Sequence, residues 1–385
     1  MYNRLNLFLQ IEKYSRRKCI KIKMERSILL ISYGDYRYDG RLRELVNVGS
    51  LLGNLKVICR GSSTAILNGV LAGSEVSSYF DFIKTCIKTA STMKKIDCLI
   101  VDNRRAIFPA IVIKCVAQVS YTVQDMRELY LIKETRHLAG KIGCVLESFF
   151  LKQADFVICA NEQRCRMVKK LFALTQPVYN FENYRLLKYQ DTDCDLSKKY
   201  AKYFKKRDTF KCISTAGCSV SRGTLDILNA IRHLQFPIEL YLVGDSNKED
   251  VAEVKRLVQK YKIEDVHIIG NLIEGDLKYF IQNCDIGIVI YNQCDTNNKY
   301  CASGKVFEYI LDGLPILTST NPPLREFCKK YGVGIATNDY GVGIARLYEN
   351  YIFYKENVRQ SVDSFDIKEN NQNLAKAILK KMESV

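Results

Sequence analysis

The sequence predicts an α/β chain of two doubly wound, Rossmann-like domains facing each other across a cleft, and three observations carry that prediction. Short, continuous apolar runs alternate with amphipathic helical stretches, as expected for parallel strands covered on both faces. The alternation occurs twice, on either side of a Lys-, Asp- and Tyr-rich stretch without clear periodicity at residues 185–208. The length, 385 residues, exceeds one ordinary domain of roughly 150. The expected organisation is a basic N-terminal extension (1–25), a first domain (26–184), a linker (185–208), a second domain (209–360) and a C-terminal helix (361–385) that crosses back to the first domain.

Composition narrows the class. With 47% hydrophobic and 26% charged residues the chain has ample material for a core. Its 15 cysteines are scattered without a C-x-x-C pair, which argues against a zinc site or a thioredoxin-like motif. They read as small hydrophobes in a reducing cytoplasm. No run of 18 apolar residues exists, so no membrane-spanning helix is expected. Arg16, Arg17, Lys18, Lys21 and Lys23 interrupt the apolar region that a signal peptide needs. That segment reads as a basic amphipathic lead, a tail, or an extension upstream of Met24.

The net charge of +16 is unevenly spread. Residues 1–200 hold 33 Lys and Arg against 19 Asp and Glu, and residues 201–385 hold 25 against 23. The first half is expected either to face something anionic, for which nucleic acid, acidic lipid headgroups and a pyrophosphate-linked acceptor all qualify by charge, or simply to be kept soluble by its lysines. Nucleic acid is not expected, because the interleaved aromatic and basic residues of a binding groove are not evident.

In chain order, Ser27 to Ser32 is a buried parallel strand, followed by a loop and a helix from about Arg41 to Leu52. The strand Cys98 to Val101 ends in Asp102 and Asn103, at the strand end where open parallel sheets hold ligands. Asp102 reads equally as a cap for the next helix. The strand Val119 to Val123 leads into Gln124-Asp125-Met126-Arg127-Glu128-Leu129. Arg127 stays protonated and is no base, but it suits bidentate binding of a phosphate or carboxylate; the alternative is a surface pair with Glu128.

In the second half, the strand Lys211 to Thr215 is followed by Gly217 and, after four intervening residues, Arg222-Gly223 at a helix start. The strand Val266 to Ile269 ends in Gly270, and Asp285 to Ile290 leads into a small-residue loop that opens a helix. There Ser303 and Gly304 stand where unpaired N–H groups make an anion site. Val306, Phe307, Ile310 and Leu311 bury one face. Lys305 and Glu308, three apart, share one side of the first turn. One suits phosphate charge and the other accepts hydrogen bonds from hydroxyls.

At these residues the chain resembles the retaining glycosyltransferases of family 4, which have the GT-B fold. The resemblance rests on Lys305-Val306-Phe307-Glu308, Gly313 and Pro315, on the loop from Gly217 to Gly223, and on Asp39-Gly40-Arg41. It implies that Glu308 binds the ribose of a nucleoside diphosphate sugar and that Ser303 to Lys305 bind its diphosphate. Gly217, Arg222 and Gly223 then meet the pyrophosphate, and backbone from Asn271 to Ile273 meets the base. Asp125, Arg127 and Lys305 are the implied catalytic residues. Asp39, Arg41, Asp102, Asn103, Glu128 and Tyr300 are placed towards the acceptor or cleft.

Two departures stand out: Tyr300 replaces a second glutamate that many relatives carry, and Arg127 replaces a histidine. The resemblance implies sugar transfer with retention in surface polysaccharide or glycolipid assembly. It implies no metal and no cofactor beyond the nucleotide-sugar co-substrate, and an acceptor that is a sugar or lipid-linked sugar. The expected location is cytoplasmic, peripheral on the inner face of an anionic membrane. The alternatives are a nucleotide-sugar epimerase of the same fold and a non-catalytic, degenerate partner subunit.

Overall fold

The computed structural model describes residues 26–61, 72–189, 195–206 and 208–384, so the expected N-terminal extension lies outside the described residues. The chain divides into two compact units, one running to Glu182 and including Lys368–Val385, the other Asn183–Ile367.

The first unit holds a seven-stranded parallel sheet: β1 (Ser27–Asp35), β2 (Asn54–Arg60), β3 (Ala72–Glu75), β4 (Cys98–Asp102), β5 (Thr122–Met126), β6 (Phe156–Cys159) and β7 (Val178–Asn180). Their spatial order is β3-β2-β1-β4-β5-β6-β7. Leu30 pairs with Val57 on one side and Ile100 on the other. Ile28 to Ile31 are fully buried, because helices cover both faces of the sheet. The order reverses between β1 and β4, so a crevice opens at the carboxyl ends of these strands. Helix α1 (Gly40–Leu52) starts there, capped by Asp39, whose carboxylate accepts from the Leu42 N–H at 3.1 Å. Helix α2 (Leu138–Gln153) turns Cys144, Glu147, Phe150 and Leu151 inward.

The second unit holds six parallel strands: β8 (Phe210–Ser214), β9 (Ile238–Val243), β10 (Val266–Ile269), β11 (Ile286–Val289), β12 (Ile316–Thr318) and β13 (Gly334–Ala336), ordered β10-β9-β8-β11-β12-β13. Here the reversal falls between β8 and β11. Helix α3 (Thr224–Ile231) follows β8, and helix α4 (Gly304–Leu311) precedes β12.

The stretch 185–208, expected as a linker, packs within the second unit wherever it is described. Leu187 and Tyr200 are buried in that unit's core, and Tyr200 meets Phe280 with ring centroids 4.8 Å apart. The closing helix α5 runs from Ile367 to Met382, not from 361. Its Leu374, Ala375 and Ile378 complete the core of the first unit, and Asn371 donates to Glu44 at 2.6 Å. Among the described residues no helix is long and apolar enough to cross a membrane.

Candidate functional site

In the second unit the site grows from the end of β8. Gly217 has φ 61°, and a Cβ there would lie 2.4 Å from Ser246 Oγ and 2.8 Å from the Asp245 carbonyl. Gly223, at φ 74°, caps α3 in the left-handed region that glycine enters without strain. Between them Arg222 stacks its guanidinium 3.9 Å from the Tyr291 ring centroid and donates to Asn298 Oδ1 at 3.3 Å. This leaves a cation fixed beside the β8 end.

Helix α4 starts without a side-chain cap, and the buried Ser303 hydroxyl has no hydrogen-bond partner. Lys305 Nζ donates to the Thr215 carbonyl at 2.6 Å, tying α4 to the end of β8. Burial pushes the Lys305 ammonium down to about 8, and the charges of Arg222 and Arg185 push the same way against Glu308. Tyr309 holds the same junction: its hydroxyl accepts from the Thr215 N–H at 2.9 Å and donates to Thr215 Oγ1 at 3.0 Å. Glu308 is buried, with a carboxylate oxygen 3.5 Å from Arg185 Nη1.

Two residues that sequence reasoning missed complete this group. Arg185 lies across the first turn of α4, so that a Cβ on Gly304 would sit 2.3 Å from Arg185 Nε. Asn183 donates to the Ala302 carbonyl at 3.1 Å. Arg185 Nε, Asn183 Oδ1 and Ser303 Oγ are all buried and unpartnered, so three unmet polar atoms gather at residues 302–304. No spacing in the sequence links residue 185 to 304; only packing does. Ile273 is exposed at the cap of helix Glu274–Gln282, and Tyr300 closes the short helix Thr296–Lys299.

The arrangement can bind an anion. Three cations, Arg185, Arg222 and Lys305, and the uncapped N–H groups of α4 are directed to one region, while Glu308 offers a carboxylate one turn further on. Among the described residues no three His, Cys, Asp or Glu side chains gather where they could hold a metal ion.

The first unit brings its own candidates together at the carboxyl ends of β1, β4 and β5. Arg41 grips Asp125 with both arms, at 2.9 and 2.8 Å, and donates to the Phe181 carbonyl at 2.5 Å. Arg127 holds Asp102 at 2.5 and 2.7 Å and also pairs with Asp39. Ser32 Oγ donates to Asp102 at 2.5 Å. Burial raises the Asp102 carboxyl to about 6 against the pull of Arg127, with Asp125 and Asp39 adding to the rise.

Arg127 thus pairs inward with Asp102 and Asp39, not along the surface with Glu128, which is exposed. Nor does Asp102 cap the following turn; Asn103 does, accepting from the Arg104 N–H at 2.7 Å. The two oxygens of Asp125 are both engaged by Arg41, which suits holding the loop after β5 in place more than taking a proton.

No family model and no curated protein matches the chain. Solved structures do. A sucrose-phosphate synthase from Thermosynechococcus elongatus superposes with a TM-score of 0.72 at 15% identity, covering 94% of this chain and 100% of that one. HepE from Anabaena, solved in complex with UDP-glucose, gives 0.71 at 13% identity over 92% of this chain and 99% of its own. A glycosyltransferase from Rickettsia africae gives 0.68 at 16%, over 92% and 99%.

The fold is GT-B. At these identities the fold is what is shared. The GT-B architecture agrees with the two parallel sheets and their order reversals, and it accounts for a chain that ends back in the unit where it began.

Proposed function

We propose that this GT-B chain is a retaining glycosyltransferase of the family 4 type, moving a sugar from a nucleoside diphosphate sugar to an acceptor hydroxyl. The observation that carries the reading is the gathering of Arg185, Arg222 and Lys305 around the uncapped start of α4, with Glu308 one turn away. Such a site stabilises negative charge as it develops on a leaving diphosphate, because its donors are already oriented and partly shielded from water. In this proposal Glu308 accepts the ribose hydroxyls, exchanging its contact with Arg185 for them. Gly217 and Gly223 let backbone approach the pyrophosphate, and Ile273 lies beside the base.

The pairs Arg41–Asp125 and Arg127–Asp102 are assigned to positioning. They hold the loops after β1, β4 and β5 of the first unit, with Asn103 and Glu128 assigned towards the acceptor. Co-crystallisation of HepE with UDP-glucose makes UDP the first nucleotide to test. No metal and no further cofactor is assigned, and the acceptor is proposed to be a sugar or lipid-linked sugar used in surface glycan assembly in the cytoplasm.

The test is thermal stabilisation by UDP, GDP, ADP and CMP, with Glu308→Ala, Lys305→Ala and Arg185→Gln alongside. A nucleotide at about 100 times its dissociation constant adds about 2.7 kcal/mol of apparent stability. One nucleotide is expected to stabilise the wild type, each variant to lose most of that gain, and a chelator to leave it unchanged. A folded wild type that no nucleotide stabilises would overturn the proposal.

A further inference from the structure

Helix α2 is apolar on two faces, and only one of them is packed. Cys144, Glu147, Phe150 and Leu151 turn into the first unit. On the other side Leu138, Ile142, Val145 and Phe149 recur at four- and three-residue spacing and are 74%, 52%, 55% and 55% exposed. A single exposed leucine is ordinary, but four in one helical stripe are not. The stripe continues into an open groove of about 590 Å³, where Ile132 and Leu171 add two more half-exposed apolar side chains.

The exposed charges around this stripe are mostly positive. Lys133, Arg136, Lys141 and Lys152 are all exposed, and Lys133 and Lys152 line the groove itself. Of the two carboxylates in residues 132–153, Glu147 points inward to Arg104 at 2.7 Å, leaving Glu134 on the surface. A second copy of the same face would set these cations against one another. A bilayer with anionic headgroups meets both features: the apolar stripe enters the acyl boundary while lysines beside it extend to the phosphates.

We propose that the outer face of α2, with the groove beside it, is a docking surface for a membrane carrying anionic lipids. The inference goes beyond the donor-site reading and rests on different residues. The helix lies in the plane of the interface, and none of its length spans the bilayer.

Co-sedimentation of the full chain with vesicles tests it, using phosphatidylcholine alone and phosphatidylcholine mixed with phosphatidylglycerol. The wild type is expected to bind the mixed vesicles, weakly or not at all the neutral ones, and to release at high salt. Ile142→Glu/Phe149→Glu and Lys133→Glu/Lys141→Glu/Lys152→Glu are each expected to lose at least about tenfold in vesicle affinity. Both should keep the thermal midpoint of the wild type, because every altered side chain is exposed. Equal binding of wild type and Ile142→Glu/Phe149→Glu would overturn the proposal, as would equal binding to both vesicle types. So would no vesicle binding from a wild type that self-associates in solution and becomes monomeric in the double variant, since the occupant would then be a second copy.

Discussion

Lys305 joins two demands that oppose each other. The folded protein lowers its ammonium to about 8 by burial, whereas the unfolded chain titrates near its ordinary value of about 10.4. Between those values the unfolded state binds more protons, so this residue's contribution to stability grows as pH rises through that window. In the proposed donor site nucleotide binding should run the other way, because the ammonium assigned to the diphosphate is lost above about pH 8. Nucleotide affinity is therefore expected to be flat from pH 6.5 to 7.5 and to weaken above about 8, by up to tenfold per unit. Lys305→Arg, charged throughout, should show a flat profile in the same calorimetric titration. An equal slope in both proteins would remove Lys305 from the diphosphate site.

At this scale the sequence was legible where the chemistry is local. Ser303, Gly304, Lys305 and Glu308 lie within the first two turns of α4, and their grouping follows from spacing. Arg185 was hidden because nothing but tertiary packing sets it over Gly304. The partners of Arg127 were hidden for the same reason: Asp102 is 25 residues away and Asp39 is 88.

Among the elements, α4 and β11 decide the geometry of the proposed donor site. Gly287 lies inside β11, where an added Cβ would fall 2.2 Å from the Tyr309 ring. Without a side chain there, α4 settles close to the sheet and the Tyr309 hydroxyl reaches Thr215 at the end of β8. The Lys305 ammonium bonds the same residue's carbonyl. Gly287→Ala is expected to cost about 1–3 kcal/mol through overpacking, and to weaken nucleotide binding by moving Thr215 and Lys305 together. Gly270→Ala, with nothing within 4 Å of the new Cβ, should stay within about 0.5 kcal/mol of wild type in the same denaturation series. If the two variants unfold alike, the close approach of α4 to β11 is not what fixes the site. In the sequence Gly287 was one residue of an apolar strand; its meaning came from the ring above it.

For the whole molecule, the alternation of apolar runs and amphipathic helices made both parallel sheets legible, since buried parallel strands need continuous apolar sequence. Strand order was not written in that pattern; it follows from which strands pair, with the reversals at β1/β4 and β8/β11. The packing of the described part of 185–208 was not legible, because Tyr200, Tyr203 and Phe204 meet Phe280 and one another, and such aromatic packing has no sequence period.

The claim that joins these scales is sugar transfer with retention. The most direct measurement is proton NMR of the full protein with the nucleotide sugar that stabilises it and a panel of sugar and lipid-linked sugar acceptors. Release of the nucleoside diphosphate is expected, with the product's anomeric proton showing the donor's configuration. An inverted anomer would contradict retention; an epimerised sugar still joined to its nucleotide, or a bound donor that no acceptor consumes, would contradict transfer itself.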